Sequence, residues 1–177
     1  MSQSGKYALK SVMKTILAFI DFSDVTDAVV ETSADFARAF KSKLILVHVA
    51  TPESDYEGDT MRMDISRGGV SREMHDYHHK LQKLESNYRD AGIDTTSLLV
   101  RSTSARGKPV RKILQEIVRV KPSLIVVGSR GYGLIHDILM GSVSSAVVRK
   151  AACPVVVVPA VKRLRRGKKR IPNCPKL

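Results

Sequence analysis

The chain has 177 residues, a formal net charge of +13 and 43% hydrophobic residues. Its length suits one domain with short tails, and its apolar content is that of a folded protein, which excludes a wholly disordered chain. Two cysteines are too few for a disulfide framework, and no apolar run has the length of a membrane span or the pattern of a secretory leader. The expected location is therefore the cytoplasm.

The first half of the chain alternates short apolar runs with amphipathic segments. Thr15–Ile20 is a β-rich run that ends at Asp21. Asp24 is a candidate cap for a helix over 25–40, because apolar residues recur there at helical spacing. A second strand is predicted over 43–49.

The second half continues the same alternation after a long polar loop at 50–70, and loops of this length are usually functional or disordered. Pro109 suits the first turn of a helix. The later predicted elements are a polar helix (71–91), a strand (96–101), a helix (109–120), a strand (124–127), a helix (142–151) and a final strand (Val155–Val158).

This order predicts an α/β fold with a five-stranded parallel sheet that has helices on both faces. Ligands of such sheets bind beyond the carboxyl ends of the strands, where the strand order reverses. Asp21, Val49 and Gly128 follow or end three predicted strands. They are distant in sequence, and the fold predicts that they meet in one crevice.

A glycine loop is the most informative motif. The strand over 124–127 is followed by Gly128-Ser129-Arg130-Gly131, and Gly141-Ser142 then leads into a helix. Glycine lets a ligand approach the backbone, and the free N–H groups at a helix start suit an anion. Three hydroxyls, those of Ser142, Ser144 and Ser145, can cap that helix or contact oxygens. The alternative is a tight turn without a ligand. The spacing fits neither a dinucleotide fingerprint nor a Walker loop.

The spacing Gly-x2-Gly-x9-Gly-Ser also resembles the signature of the universal stress protein family, in its ATP-binding branch. The resemblance covers about residues 14–160 and includes Asp21-x-Ser23, Gly107-x-Pro109 and the final Pro154-Val155-Val156-Val157-Val158 strand. It implies a Rossmann-like nucleotide-binding fold, similar to the adenine nucleotide alpha hydrolases, that is commonly dimeric. The residues before it (1–13) then form an extension.

The same resemblance implies a set of ATP-binding residues. Asp21 would lie by the ribose or base, and the backbone near Val49 would meet adenine. The ribose-phosphate part would be held by Gly128, Arg130, Gly131, Gly141, Ser142, Val143 and Ser144. Magnesium would accompany the triphosphate.

Each of these side chains also has a plainer alternative. Asp21 can be a cap or turn residue, and Val49 the last core residue of its strand. Arg130 can be a solvated loop residue, although its guanidinium suits phosphate. The serines can be no more than helix caps.

Other polar residues carry weaker signals. His75 and His79 stand one helical turn apart, with His78 between them, but the expected state is a solvated helix face without a metal. His48 and His136 are isolated and receive no assignment. Cys153 is expected to be a small buried residue.

Charge concentrates at the C-terminus, since residues 161–177 hold eight Lys/Arg and no acid. Removing those charges leaves +5 for the first 160 residues. The tail is expected either to be disordered or to bind nucleic acid or an anionic surface.

Three functions therefore remain open at this stage. The leading one is an ATP-binding stress sensor or regulator, which forms a homodimer through Val155–Val158. The second is a slow ATP hydrolase or phosphotransferase, for which only Asp21 and His136 are candidate bases and no catalytic residue is assigned. The third is a nucleic-acid-associated protein acting through the basic tail.

Overall fold

The computed structural model describes residues 13–50, 72–102, 109–129 and 140–160. Nine elements occur within these ranges. They are β1 (Thr15–Ile20), α1 (Thr26–Phe40), β2 (Lys43–Ala50), α2 (Arg72–Asp90), β3 (Thr95–Arg101), α3 (Val110–Val120), β4 (Leu124–Gly128), α4 (Ser142–Lys150) and β5 (Val155–Val158). The predicted extension at 1–13, apart from Met13, lies outside the described residues, as do nearly all of the polar loop at 50–70 and the basic tail.

All five strands are parallel, in the order β3-β2-β1-β4-β5. The central strand is β1, in which Ile16 is paired with Leu44 on one side and with Leu124 on the other. The predicted α/β fold with a five-stranded parallel sheet is therefore confirmed. Within the described ranges, no helix has the length and apolar content needed to cross a membrane.

Alternation along β1 supplies both hydrophobic cores. Ile16, Ala18 and Ile20 pack on the face that carries α1 and α2, whereas Leu17 and Phe19 pack on the face that carries α3 and α4. Successive side chains of a strand point to opposite faces, so a strand buried on both sides must be apolar throughout. This is why the strand patterns in the sequence are continuous apolar runs.

The element boundaries differ from the predicted ones by one or two residues, and one predicted cap is wrong. The N-cap of α1 is Val25, with no side-chain capping hydrogen bond, and not Asp24. The hydroxyl of Thr26 instead approaches the carboxylate of Asp21 at 3.5 Å. Pro109 is the N-cap of α3 rather than a residue of its first turn.

Helix α2 is held to the sheet by a polar contact as well as by packing. Its fully buried residue is Leu81. One turn further on, Glu85 accepts hydrogen bonds from the backbone N–H of Ser97 at 2.8 Å and from the Ser97 hydroxyl at 2.6 Å. Ser97 lies on β3, an edge strand. The pKa of Glu85 is lowered below its ordinary value of 4.5. The largest cause is the hydrogen bond from the Ser97 hydroxyl, followed by the bond from the Ser97 N–H and by the nearby charge of Arg89.

We therefore predict that Glu85→Ala lowers the free energy of unfolding at pH 7 by about 1–3 kcal/mol, the usual penalty for unpairing such a group. Since the pKa of Glu85 is lowered by folding, this contribution is present above pH 4.5 and is lost as the pH falls through the folded-state pKa. Urea denaturation at pH 7 and pH 3 measures both effects. Glu31→Ala, at an exposed position of α1, is the matched control; equal losses in the two variants would contradict the prediction.

Candidate functional site

The strand order reverses beside the central strand. After β1 the chain moves through α1 to β2 on one side, and after β4 it moves through α4 to β5 on the other side. The two crossovers therefore lie on opposite faces and leave a crevice at the carboxyl ends of β1 and β4. Asp21 directly follows β1, and Gly128 is the last residue of β4. The structure thus brings these two predicted site residues to the same edge of the sheet.

Helix α4 begins at this edge without a side-chain cap. Its N-cap, Gly141, has extended backbone angles, and the first intrahelical hydrogen bond runs from the N–H of Ser145 to the carbonyl of Gly141 at 3.0 Å. The N–H groups of Ser142, Val143 and Ser144 precede that bond and have no acceptor within the helix. Three backbone donors and the positive end of the helix dipole therefore lie together at this helix start, an arrangement that suits an anion.

The half of the molecule that contains α3 and α4 has an excess of positive charge. The described segments 109–129 and 140–160, which contain α3 and α4, hold six Lys/Arg residues and one carboxylate, that of Glu116. Four of these cations, those of Arg119, Lys121, Arg149 and Lys150, lie at the C-terminal ends of the two helices. The excess therefore acts on this half of the molecule as a whole and not at the start of α4 in particular.

The two ends of the glycine loop are tied together by Ser129, which sequence reasoning did not select. Its carbonyl accepts the N–H of Gly141 at 2.7 Å and the hydroxyl of Ser144 at 3.1 Å. Its own N–H donates to Val158, and its hydroxyl accepts the N–H of Ala160 at 2.9 Å. In the sequence, only the position of Ser129 directly after Gly128 pointed to this role. Because of this tie, the helix start is fixed relative to the end of β4.

The two predicted serines at this helix start have different environments. The hydroxyl of Ser144 is buried and lies within hydrogen-bond distance of the carbonyls of Ser129 and Gly141. Ser142 is exposed. The hydroxyl of Ser144 is thus engaged by the backbone, whereas Ser142 is accessible at the surface.

Asp21 organises the turn that leaves β1. Its Oδ1 atom accepts the N–H of Ser23 at 3.1 Å and the Ser23 hydroxyl at 2.6 Å. Between them, Phe22 has a φ of 60°, a left-handed conformation that is uncommon for a bulky residue. One carboxylate oxygen is thus used by the turn, so the alternative role of Asp21 as a turn residue is real. The half-buried side chain still lies at the crevice.

Val49 lies just past the last pair between β1 and β2, which joins Ile20 and His48. On its other side Val49 remains paired with β3, opposite Val100. Its half-buried side chain packs with the core on the α3 and α4 face. The backbone of β2 therefore extends beyond β1 at the edge where Asp21 lies, and both predicted roles of Val49 are compatible with this position.

Two of the predicted nucleotide-binding residues and one candidate base are not placed by the structure. Arg130 and Gly131, together with His136, lie in the segment 130–139, outside the described residues. His75, His78 and His79 are exposed on α2. Within the described ranges, no three His, Cys, Asp or Glu side chains are grouped closely enough to hold a metal. Burial raises the pKa of the half-buried Cys153 thiol, which is typical of an unreactive cysteine.

His48 is the second residue at this edge that sequence reasoning missed. It is 6% exposed, and its Nδ1 atom lies 2.9 Å from the carbonyl oxygen of Ile20. The residue therefore contacts the peptide that leads into Asp21. A polar residue inside an otherwise apolar strand was the available signal, and without a partner it could not be interpreted.

Together the fold and this edge define an α/β protein of the nucleotide-binding type, with a helix start suited to phosphate at the switch point. The chain belongs to the universal stress protein family, whose model matches residues 13–159. A universal stress protein of Thermus aquaticus is 29% identical over 147 residues, which cover 83% of this chain and 99% of the relative.

Solved structures show the same fold. A universal stress protein in complex with cAMP has a TM-score of 0.60 and 24% identity, covering 84% of this chain and 98% of its own. The universal stress protein from Archaeoglobus fulgidus in complex with dAMP has a TM-score of 0.57 and 20% identity, covering 82% of this chain and 97% of its own.

The two serines give a direct test of the site geometry. We predict that Ser144→Ala lowers the free energy of unfolding by about 1–2 kcal/mol, because it removes a buried hydrogen-bond donor from two carbonyls. The exposed Ser142→Ala should change it by less than about 0.5 kcal/mol. Chemical denaturation of both variants checks this. A larger effect at Ser142 than at Ser144 would show that the helix start is built differently.

Proposed function

We propose that this protein binds ATP in the crevice between β1 and β4, and that it acts as a stress sensor or regulator whose conformation depends on the nucleotide. The observation that carries the proposal is the uncapped start of α4. Three backbone N–H groups precede the first intrahelical hydrogen bond there, at the same edge of the sheet as the half-buried carboxylate of Asp21. Phosphate is the common biological anion that such a helix start recognises.

The phosphate end of the nucleotide would lie at α4. Gly128 and Gly141 form the two ends of the loop, and the tie through Ser129 holds those ends together before any ligand arrives. The N–H groups of Ser142, Val143 and Ser144 would donate to phosphate oxygens. Arg130 and Gly131, assigned from the sequence motif, would complete the loop, with the guanidinium as a charged donor.

The adenosine end would lie across β1. Asp21 has one carboxylate oxygen bound within its own turn, and the other oxygen would accept a ribose hydroxyl. The backbone around Val49 extends past the end of β1 and would meet the edge of adenine. Two family members were solved with cAMP and with dAMP, and both ligands are adenine nucleotides, which supports this choice of base.

Magnesium would be carried by the triphosphate rather than by a dedicated protein cage. Magnesium commonly binds through substrate phosphates and water, with few protein ligands. The described residues contain no cluster of three metal-ligating side chains, so the triphosphate would supply the ligands. When bound, the ion would neutralise part of the phosphate charge.

A regulatory role requires that ATP binds one conformation more tightly than another. The segment 130–139 connects the two ends held by Ser129, so the phosphates would contact both a fixed helix start and the loop between. If these contacts form only in the nucleotide-bound state, the conformation of the loop would report whether ATP is bound.

Calorimetry with magnesium and ATP tests the proposal, and Ser142→Glu makes the test specific. The added carboxylate stands where the phosphates would lie, and two like charges about 5 Å apart repel by roughly 3 kcal/mol at a near-surface dielectric constant. We predict that this variant binds ATP at least about tenfold more weakly than the wild type. The fold should be retained, because an acidic residue in the first turn suits a helix dipole.

Ser142→Gln is the matched control, since it adds similar volume without charge and should bind ATP more tightly than Ser142→Glu. Absence of heat and of thermal protection at millimolar ATP in the wild type would refute the proposal. Equal binding by the Glu and Gln variants would place the nucleotide away from α4.

We further propose that the protein is a homodimer paired through β5. This strand is at the edge of the sheet and consists of four valines, an arrangement that favours pairing with another strand. The carbonyls of Pro154 and Val158 point to β4, where they accept hydrogen bonds. By the alternation of a strand, the N–H and C=O groups of Val155 and Val157 point away from the sheet.

Val157→Pro removes one outward N–H group and leaves the pairing with β4 in place. We predict that this variant is a folded monomer in sedimentation experiments, whereas the wild type is a dimer. Val156→Pro is the control, because it removes a group on the β4 side and should destabilise the fold itself. A Val157→Pro variant that remains fully dimeric would exclude pairing through β5.

A further inference from the structure

His48 occupies an unusual position for a titratable residue. It belongs to the last residue pair between β1 and β2, opposite Ile20, and it is 6% exposed. The two preceding residues on the same face of β2, Leu44 and Leu46, are fully buried core residues. An apolar side chain would be the expected choice here, so the imidazole requires an explanation.

One ring nitrogen of His48 holds the backbone before Asp21. The Nδ1 atom is 2.9 Å from the carbonyl oxygen of Ile20. A carbonyl only accepts, so Nδ1 must carry the hydrogen and donate it. In the neutral ring this places a lone pair on Nε2. That atom is buried and has no hydrogen-bond partner in the structure described. Buried polar atoms without partners are rare and call for a functional or structural reason.

The ring is enclosed by aromatic side chains from two elements. The centroid of Phe22 lies 4.9 Å from that of His48, and the centroid of Tyr77, on α2, lies 4.3 Å from it. Phe22 and Tyr77 are themselves stacked at 5.5 Å. The ammonium of Lys80 lies 5.4 Å from the centre of the Phe22 ring. His48 therefore sits between rings, with a fixed positive charge nearby.

The same contacts fix the turn that contains Asp21. Phe22 has the left-handed φ of 60° described above, and such a conformation persists only where its surroundings hold it. On one side of Asp21 the Ile20 carbonyl is held by His48. On the other side the ring of Phe22 is held between His48 and Tyr77. The orientation of the Asp21 carboxylate thus depends on the imidazole from both directions.

We propose that His48 is a positioning residue for Asp21, and that it links nucleotide binding to pH by holding the turn when neutral and releasing it when protonated. This inference rests on the proposed nucleotide site, and it adds a regulatory proton and a residue with no previous role.

Protonation would disturb this arrangement for three reasons. It places a charge in a buried position away from water, it creates a second N–H group at Nε2 without an acceptor, and it opposes the ammonium of Lys80. Burial is the largest influence and lowers the pKa of His48 below 6.5; the bond to Ile20 and the carboxylates of Asp21 and Glu73 act in the other direction, and Lys80 lowers the pKa further. On the neighbouring β3 the paired residue, Leu99, carries no charge.

The sign of the pH effect follows from the direction of this shift. Between the folded-state pKa and 6.5 the unfolded chain binds more protons at this residue than the folded protein does. The contribution of His48 to stability is therefore present above pH 6.5 and is lost as the pH falls through the folded-state pKa. Affinity for a nucleotide that needs the ordered turn should fall over the same range.

Two variants separate positioning from packing. In His48→Asn the side-chain amide nitrogen takes the place of Nδ1 and still donates to Ile20, but it does not titrate. In His48→Leu the volume is kept and the hydrogen bond is lost. Calorimetry with ATP at pH 7.5 and 5.5 is the measurement, and protonation of ATP itself is the same for all three proteins.

We expect wild-type affinity to fall between the two pH values by about threefold more than that of His48→Asn. Because His48→Asn keeps the bond to Ile20 but loses the ring contact with Phe22, its affinity at pH 7.5 should lie between those of the wild type and His48→Leu. His48→Leu should bind about tenfold more weakly at both values, the loss of one well-placed hydrogen bond. Wild-type affinity in His48→Leu, or the same pH dependence in wild type and His48→Asn, would overturn the proposal. Should the Leu variant not fold, the comparison with Asn still decides.

A second measurement does not depend on nucleotide. Nitrogen NMR of the histidine rings in the free protein should show His48 with its hydrogen on Nδ1 and a pKa below 6.5, and the amide signal of Asp21 should shift with the same midpoint. A hydrogen on Nε2 instead, or an Asp21 signal that ignores this titration, would refute the positioning role. If these signals behave as expected and ATP does not bind, the proposed function fails while the anchoring of Asp21 by His48 stands.

Discussion

The central position of β1 is the constraint on which the rest of this structure depends. Its two neighbours carry the chain towards opposite edges of the sheet, so the helices that follow them cover opposite faces. The helices in the described part of the chain therefore leave a crevice at the carboxyl ends of β1 and β4. Everything that bears on function in the described residues is arranged around this opening.

The two sides of the crevice are built by different means. On the α4 side, a single residue, Ser129, joins the end of β4, the start of α4 and the segment after β5 through backbone and hydroxyl hydrogen bonds. On the β1 side, the turn at Asp21 is fixed by hydrogen bonds to Ser23 and by the rings around His48. The N–H groups at the start of α4 are therefore backbone groups held by Ser129, whereas the turn at Asp21 is held by side chains that include the titratable His48.

Polar groups near the sheet edges have stabilising roles as well. The polar helix α2 buries little apolar surface of its own, and the hydrogen bonds of Glu85 help to hold it to an edge strand. Likewise, the hydroxyl of Ser144 lies within hydrogen-bond distance of two backbone carbonyls at the helix start. Serine and glutamate are easily assigned to binding in a motif, and only their hydrogen-bond partners show which role they have.

The sequence by itself determined the class of the fold and the position of the crevice. Continuous apolar strands between amphipathic helices allow only a parallel sheet covered on both faces, and the glycine spacing marks the helix start at Gly141. This is because periodicity and glycine placement are local properties of the chain. Element ends were displaced by a residue or two, and the cap assigned to Asp24 was wrong, since the carboxylate of Asp21 competes for the same turn.

Only the tertiary structure decided which polar residues belong together. His48 and Ser129 had no recognisable pattern, because their partners are Ile20, Tyr77, Gly141 and Ala160, which are distant in sequence and meet them through strand pairing and crossover packing. Alternation along β2 places His48 on the face of α1 and α2, and Val49 on the opposite face. The sequence shows that alternation, but it does not show which residues of other elements pack on each face.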